Sequence, residues 1–410
     1  MAYKTGKANG YKELLLATKG FLENAKKAYN AAAGGGNTGN GFLSAERAST
    51  SPVDETWTLT ATSATNFTVT GSVSGAQAAA TVGTAYDNGI VAFKIIAGST
   101  AFVSSDSFTF DVADGLGATE AWTVKSWNTD HDGLGNYELI IMGPGASGAD
   151  EIYVGIQTYH NTGDDYFNWR LQGYTGYSGA AAFNTQPGAM TDAPSYNPKM
   201  LLWNGQIPYW IVGDGRRFSV FAKISTVYEC MYAGFLLPYG LPNEVPYPLA
   251  IGGTCRAYGT SESRWSNTEA AHRAFFDPYG TGGASGSNST LRVLHGSWIH
   301  AANWSYETNL ISAMNVWPFH HSDIVYAGYP ANRLWALLEP NIDGSYPLFP
   351  LIINGDDPEI NFYGELQGLY ATPGHSLSAE DTITIGGVVH VVFPNIWRTN
   401  TWQYALLRLE

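Results

Sequence analysis

The sequence predicts a mainly β protein with an N-terminal helix, a small β-sandwich module and a large β-rich domain. Three observations predict this. Apolar and polar residues alternate with period two across residues 51–113, Gly-rich turn signals separate the alternating runs, and helical periodicity is strong only near the N-terminus.

The first element is the helix. Tyr11, Leu14, Leu15, Thr18, Phe21, Leu22, Ala25, Ala28 and Tyr29 recur at three- and four-residue spacing, which gives one apolar face. Gly20 weakens its middle by about 1 kcal/mol relative to Ala. The pattern runs into Ala31–Ala33 and then Gly34-Gly35-Gly36-Asn37-Thr38-Gly39-Asn40-Gly41, the composition of a flexible linker. Residues 1–41 are therefore expected to form a tethered docking segment. Tyr11, Leu14, Leu15, Phe21 and Leu22 are its assembly face, placed on a neighbouring subunit or folded back on the same chain. Six lysines against two glutamates give the first thirty residues a local charge of +4. An acidic neighbour suits them.

Residues 42–117 read as a small immunoglobulin-like sandwich. Trp57–Thr60, Phe67–Thr70, Val91–Ile95 and Phe108–Val112 each put large apolar residues on one face and mostly polar ones on the other. Gly71 to Gly75, Asp87-Asn88-Gly89 and Gly98-Ser99 supply the turns. Residues 118–410 read as the large β-rich domain, with strands expected at Tyr137–Met142, Ile152–Thr158, Tyr166–Leu171, Phe218–Ile224 and Val388–Phe393. Loops at 179–199 and 279–290 are long enough to suggest binding or assembly elements. No fixed-period repeat or heptad pattern occurs, which disfavours solenoids and coiled-coil fibres.

A chain of 410 residues exceeds what one core usually serves. Charged residues are only 14%, against roughly 25% in typical soluble proteins, so Gly, Ser, Thr, Asn and aromatic side chains must cover much of the surface. Such a surface suits assembly. The net charge of −14 disfavours nucleic acid and anionic membranes as partners. Two cysteines, Cys230 and Cys255, make neither a disulfide framework nor a zinc set, which points to free thiols and folding in a reducing cytoplasm. No run approaches the roughly 20 apolar residues of a membrane span. Leu14–Ala17 is too short for a signal-peptide core and is followed by charges.

Met1-Ala2-Tyr3, Gly10–Leu15, Glu55–Thr58 and Gly83–Asp87 resemble the opening of a family of uncharacterised bacteriophage virion proteins encoded among tail and baseplate genes. Gly143-Pro144-Gly145, Asp150–Ile156, Asn168-Trp169, Gly215–Phe218, Ala222–Thr226 and Asp343–Pro350 resemble its central blocks. Gly364–Tyr370 and Glu380–Gly387 resemble its closing segment. The resemblance covers nearly the whole chain. It implies a virion structural protein, made in the host cytoplasm, whose partners are copies of itself and other virion proteins. It implies no cofactor.

Several residue groups offer chemistry. Asp130-His131-Asp132-Gly133 with Glu138 places alternate carboxylates about a turn, as a calcium loop does, but lacks the full ligand pattern. His320-His321 with Asp323 offers metal ligands, although adjacent residues on extended chain face apart. Asp164-Asp165 beside Tyr166, Phe167 and Trp169 has the residue types of a glycosidase cleft, with the same objection. Arg216-Arg217 presents two guanidinium forks for carboxylates, across a subunit boundary or within the chain. Trp203, Tyr209 and Trp210, and Trp298, Trp304 and Trp317, read as core or interface aromatics ahead of carbohydrate platforms. No Gly-x-Ser-x-Gly, Gly-x-x-x-x-Gly-Lys or His-Glu-x-x-His motif occurs. The expected function is a non-enzymatic tail or baseplate component that oligomerises. The alternative is a receptor- or glycan-binding adhesin at the tail tip or fibre, with a host-surface receptor as partner, and a polysaccharide-degrading enzyme comes third.

Overall fold

In a computed structural model the described residues are 1–49, 53–147, 150–190, 197–241, 245–255, 262, 272–276, 290–295, 297–300, 314–317, 341, 344–355, 361–396 and 404–409. The chain is mainly β, with 54% strand and several antiparallel sheets, and among the described residues there is one α-helix, near the N-terminus. It divides into two compact units. The first holds residues 1–124, 203–215 and 220–224, and the second holds 125–202, 216–219 and 225–410.

The first unit begins with a strand that the sequence pattern hid, β1 (Ala2–Asn9), which pairs antiparallel with the distant strand Gln206–Gly213. Gly10, at φ 96, turns the chain into α1 (Tyr11–Glu23). A residue with a Cβ would be strained there, and its Cβ would lie 2.6 Å from Asn204 Oδ1. Glu13, in the first turn of the helix, accepts the Asn9 N–H at 3.3 Å and pairs with Lys94 at 3.2 Å.

Three expectations for the N-terminal segment are corrected. The helix stops at Glu23, because the Asn24 side chain donates to the carbonyls of Gly20 (2.7 Å) and Ala48 (2.8 Å) while its own backbone turns extended. Residues from Lys26 onward form β2 (Lys26–Ala33). Pairing with a strand far along the chain overrides the local helical pattern. The Gly-rich stretch is also no free tether. Asn37 brackets Ser107 by two bonds of 2.8 Å, and the Asp106 carboxylate accepts the N–H groups of Thr38 and Gly39, each at 2.8 Å. A Cβ at Gly41 would sit 2.2 Å from the Ile96 carbonyl oxygen, so close packing accounts for that glycine.

The sandwich follows with β3 (Phe42–Ala48), β4 (Glu55–Ala61), β5 (Asn66–Gly71), β6 (Gly75–Thr81), β7 (Ala85–Asp87), β8 (Val91–Ile96) and β9 (Ser107–Asp114). One sheet runs β2-β9-β4-β5-β6 and the other β3-β8-β7. Between them lies a core that includes Ala28, Leu43, Trp57, Leu59, Phe67, Phe93, Phe108 and Phe110. Each predicted strand of the module lies inside an observed one. The boundary at 42 moves back, however, since β2 and Ala28 belong to the same two-sheet body.

In the second unit, β10 (Thr123–Asn128), β11 (Glu138–Pro144), β12 (Glu151–Asn161), β13 (Tyr166–Tyr174) and β14 (Lys199–Met200) form one antiparallel sheet in chain order. The Gln206–Gly213 strand of the first unit is β15, and β16 (Arg217–Ile224) is divided between the units. Then β17 (Val227–Phe235), β19 (Leu249–Gly252), β20 (Leu291–His295) and β21 (Ser297–His300) pair in that order, and β18 (Leu237–Pro238) leaves them for another sheet. That sheet runs β22 (Met314–Trp317), β23 (Phe349–Gly355), β24 (Asn361–Thr372), β27 (Tyr404–Arg408), β26 (Val388–Pro394), β25 (Thr382–Ile385), with β18 pairing β24. Of the two long loops, 179–199 contains a short 3-10 turn, Phe183–Thr185, whose Phe183 is buried. Nearly all of 279–290 lies outside the described residues.

Candidate functional site: an exposed apolar ribbon

The expected assembly face of the helix is spent on its own chain. Tyr11, Leu14, Leu15, Phe21 and Leu22 are at most 2% exposed, and α1 packs on β1, β3 and β15. An amphipathic face with strands beside it is covered by them at no association cost. The arginine pair also separates. Arg216 is exposed and lies over the Phe235 ring at 5.1 Å, while Arg217 is buried. A Cβ at Gly368 would meet the Arg217 guanidinium at 2.6 Å, and its charge acts on Glu365 of the same unit. Arg217 therefore works inside its own unit.

The remaining sequence candidates resolve as local structure. Asp130 accepts the Gly135 N–H at 2.6 Å, and Asp132 accepts the Leu134 N–H at 3.0 Å and the Asn136 amide at 2.6 Å, so these carboxylates shape a turn. Asp164 and Asp165 are exposed between β12 and β13, with Asp164 accepting from Asn161 at 2.8 Å. They are exposed residues at the tip of the β12–β13 turn. Among the described residues no three His, Cys, Asp or Glu side chains converge as a metal site requires. No described helix is long and apolar enough to cross a membrane. His320, His321, Asp323 and Trp304 lie outside the described residues. Trp203 donates to the Gln206 carbonyl at 3.1 Å and Trp298 to that of Gly188 at 3.0 Å, while Tyr209 is buried. Cys230 and Cys255 are buried and not joined in a disulfide, and burial pushes the Cys230 thiol well above its ordinary value.

Two buried polar clusters escaped sequence reading. In the first unit, Lys4 donates to the Glu46 backbone carbonyl and sits 3.8 Å from its carboxylate, to which the Tyr209 hydroxyl comes within 3.5 Å. The pairing of β3 with β8 slips between Ser44 and Arg47, with Ala45 at φ 52, and the bulge lies at Glu46. Burial lowers the Lys4 amine to about 8 against the opposing pull of Glu46, and raises the Glu46 carboxyl. In the second unit, Glu229 binds His272 at 2.7 Å and accepts from Thr254, while Lys199 lies 3.5 Å from Glu262. All these side chains are under 9% exposed. They fix strands to one another out of reach of a substrate.

Some of what faces solvent is apolar. Leu237 is 37% exposed, Tyr239 48%, Leu241 62% and Phe362 55%. All four belong to one ribbon, because Leu237 pairs with Glu365, Pro238 with Gly364, and the Tyr239 N–H donates to the Tyr363 carbonyl at 3.2 Å. Leu237 and Tyr239 share a face by period two. Gly364, at φ 155, is held so close that a Cβ would stand 2.3 Å from the Leu237 carbonyl oxygen. The Tyr239 hydroxyl bonds to Glu365, whose carboxyl burial raises. The sequence signal was available in the uncharged run Phe235-Leu236-Leu237-Pro238-Tyr239-Gly240-Leu241-Pro242. It was missed because it alternates poorly, and only strand pairing shows which of its side chains stay outside.

No family model matches the chain, and no curated protein matches it. Among solved structures, FlgL of Xanthomonas campestris in two crystal forms is 19% identical to it over 25% of this chain, with TM-scores of 0.18 and 0.19. The match spans 36% and 35% of the two FlgL chains, and superposition that weak says nothing about what this chain does.

Proposed function

We propose that the chain is a structural protein of a bacteriophage particle, a tail or baseplate component made in the host cytoplasm that oligomerises and docks on neighbouring virion proteins. The observation that carries this is the Leu237, Tyr239, Leu241 and Phe362 ribbon. Large apolar side chains held in solvent on one paired ribbon mark a surface meant for another protein. The low charge content and the resemblance of blocks throughout the chain to phage virion proteins support the same reading. Binding, not catalysis, is the work such a surface does.

The test is a phage whose own copy of this gene is replaced by a Leu241→Asp/Phe362→Asp variant. Both positions are exposed, so the purified variant should melt like the parent. Its incorporation into particles, measured by quantitative mass spectrometry, should fall at least about tenfold, the effect of a loss of about 1.4 kcal/mol at one contact. Normal incorporation would remove the ribbon from the account.

A further inference from the structure

Lys199 of β14 and Cys255 form a closed antiparallel pair. The Lys199 N–H donates to the Cys255 carbonyl at 2.7 Å, and the Cys255 N–H donates back to the Lys199 carbonyl at 3.0 Å. Residues bonded in this way stand about 5.5 Å apart at Cα, with their side chains on the same face of the sheet. Both Lys199 and Cys255 are wholly buried. A Cβ on Gly253 would stand 2.5 Å from the Lys199 carbonyl oxygen, so close main-chain packing fixes the two segments against each other.

The reactive ends of the two side chains also meet. The Glu262 carboxylate lies 3.5 Å from the Lys199 amine, yet Cys255 acts on that amine more strongly than Glu262 does. Charge attraction weakens with distance, so the thiol and the amine are near neighbours. Burial first, and Arg170 across the strand pair, lower the amine below its ordinary value, which favours the uncharged nitrogen that bond formation needs. Glu262 is placed to take the proton. Cys230 has a different setting, since the groups acting on it are Glu229 and the Phe275 backbone, not an amine.

We propose that Lys199 and Cys255 are a cross-linking site, at which dioxygen joins the thiol sulfur to the amine nitrogen through one bridging oxygen. One S–O and one O–N bond form, while the S–H bond, one N–H bond and the O–O bond break. Sulfur and nitrogen are oxidised, dioxygen is reduced, and its second oxygen leaves as water with the two hydrogens. The oxidant must be small and uncharged to reach a pair with no exposed surface, which selects dioxygen over exchange with a disulfide compound. The bridge ties β14 to the segment at Cys255 and closes the chain between them into a loop, which restricts the unfolded state as a disulfide does.

The experiment uses the full chain, purified under reductant, moved into air-saturated buffer and weighed intact by mass spectrometry. The mass should rise by about 14 Da, one oxygen gained and two hydrogens lost, and should return on treatment with dithiothreitol. A sample kept under argon should not change. Trypsin should leave Lys199 uncut and joined to the peptide that holds Cys255, and the oxidised chain should melt higher than the reduced one. Cys255→Ala should abolish the mass change, and Cys230→Ala should keep it. An unchanged mass, a gain of about 16 Da with Lys199 still cut, or a modification carried by Cys230 would each overturn the proposal. The peptide map of the parent decides the matter if a variant fails to fold. Because the readout is the mass of the chain itself, the result is independent of the assembly reading.

Discussion

Lys4 and Glu46 illustrate how a charged pair can be structural and still costly. Both are at most 1% exposed, so their attraction must offset the desolvation of two ions. Removing one partner leaves the other charged and buried. Lys4→Met is therefore expected to destabilise the first unit by about 3 kcal/mol in denaturant titration, whereas Lys4→Met/Glu46→Leu should return to within about 1 kcal/mol of the parent or exceed it. A double variant as unstable as the single one would contradict this. The pair also carries a pH signature. Burial sets the folded-state value of Lys4 at about 8, below the ordinary 10.5, so between those values the unfolded chain holds a proton that the folded chain has lost. Stability from this group consequently rises with pH through that window. The parent should gain on the double variant between pH 8 and 10.5, and a gap that narrows would show the amine to be unshifted.

At the scale of elements, β4, β5 and β9 of the sandwich were legible because one face of each is buried, which writes itself as period two, whereas β12 and β16 are buried along most of their length and were legible as apolar runs. Trp57, Leu59 and Ala61 on β4 are at most 2% exposed while Thr56 and Thr58 face out. The helix start was legible for the same reason at its own period. Its end was not, since Ala25, Ala28 and Tyr29 continue the helical spacing and only pairing with β9 converts them to strand. Gly34 to Gly41 misled in a related way. Glycines there serve packing against Phe102 and Ile96, and Asp106, sixty-odd residues away in sequence, supplies the hydrogen bonds. Two consequences follow at this scale. Asp106→Ala strips three backbone N–H groups, those of Thr38, Gly39 and Val103, of their acceptor and should cost about 2 kcal/mol, read from the shift in urea midpoint. Deleting residues 1–41 removes α1, β1 and β2 from the first unit and should leave a chain that no longer unfolds cooperatively there. A truncated chain melting like the parent would restore the tethered-helix picture.

For the whole molecule, the chemistry-bearing residues and the exposed apolar residues have been sorted to opposite places. Acids, bases and thiols of the buried clusters hold strands together, and the turn carboxylates bind their own backbone. The apolar ribbon of the second unit faces outward. That surface could not be read from sequence, because it is assembled from segments more than a hundred residues apart, 237–241 with 361–365. The resemblance to phage virion proteins motivates the proposed class of function, and the pairing of distant strands gives the surface that would carry it out. The claim common to both is that the chain is a fixed part of a particle. Electron microscopy of intact, purified phage labelled with an antibody to this chain tests that directly. The account predicts label on the tail or baseplate of nearly every particle. Purified particles without label, with the protein recovered only from the surrounding lysate, would contradict it.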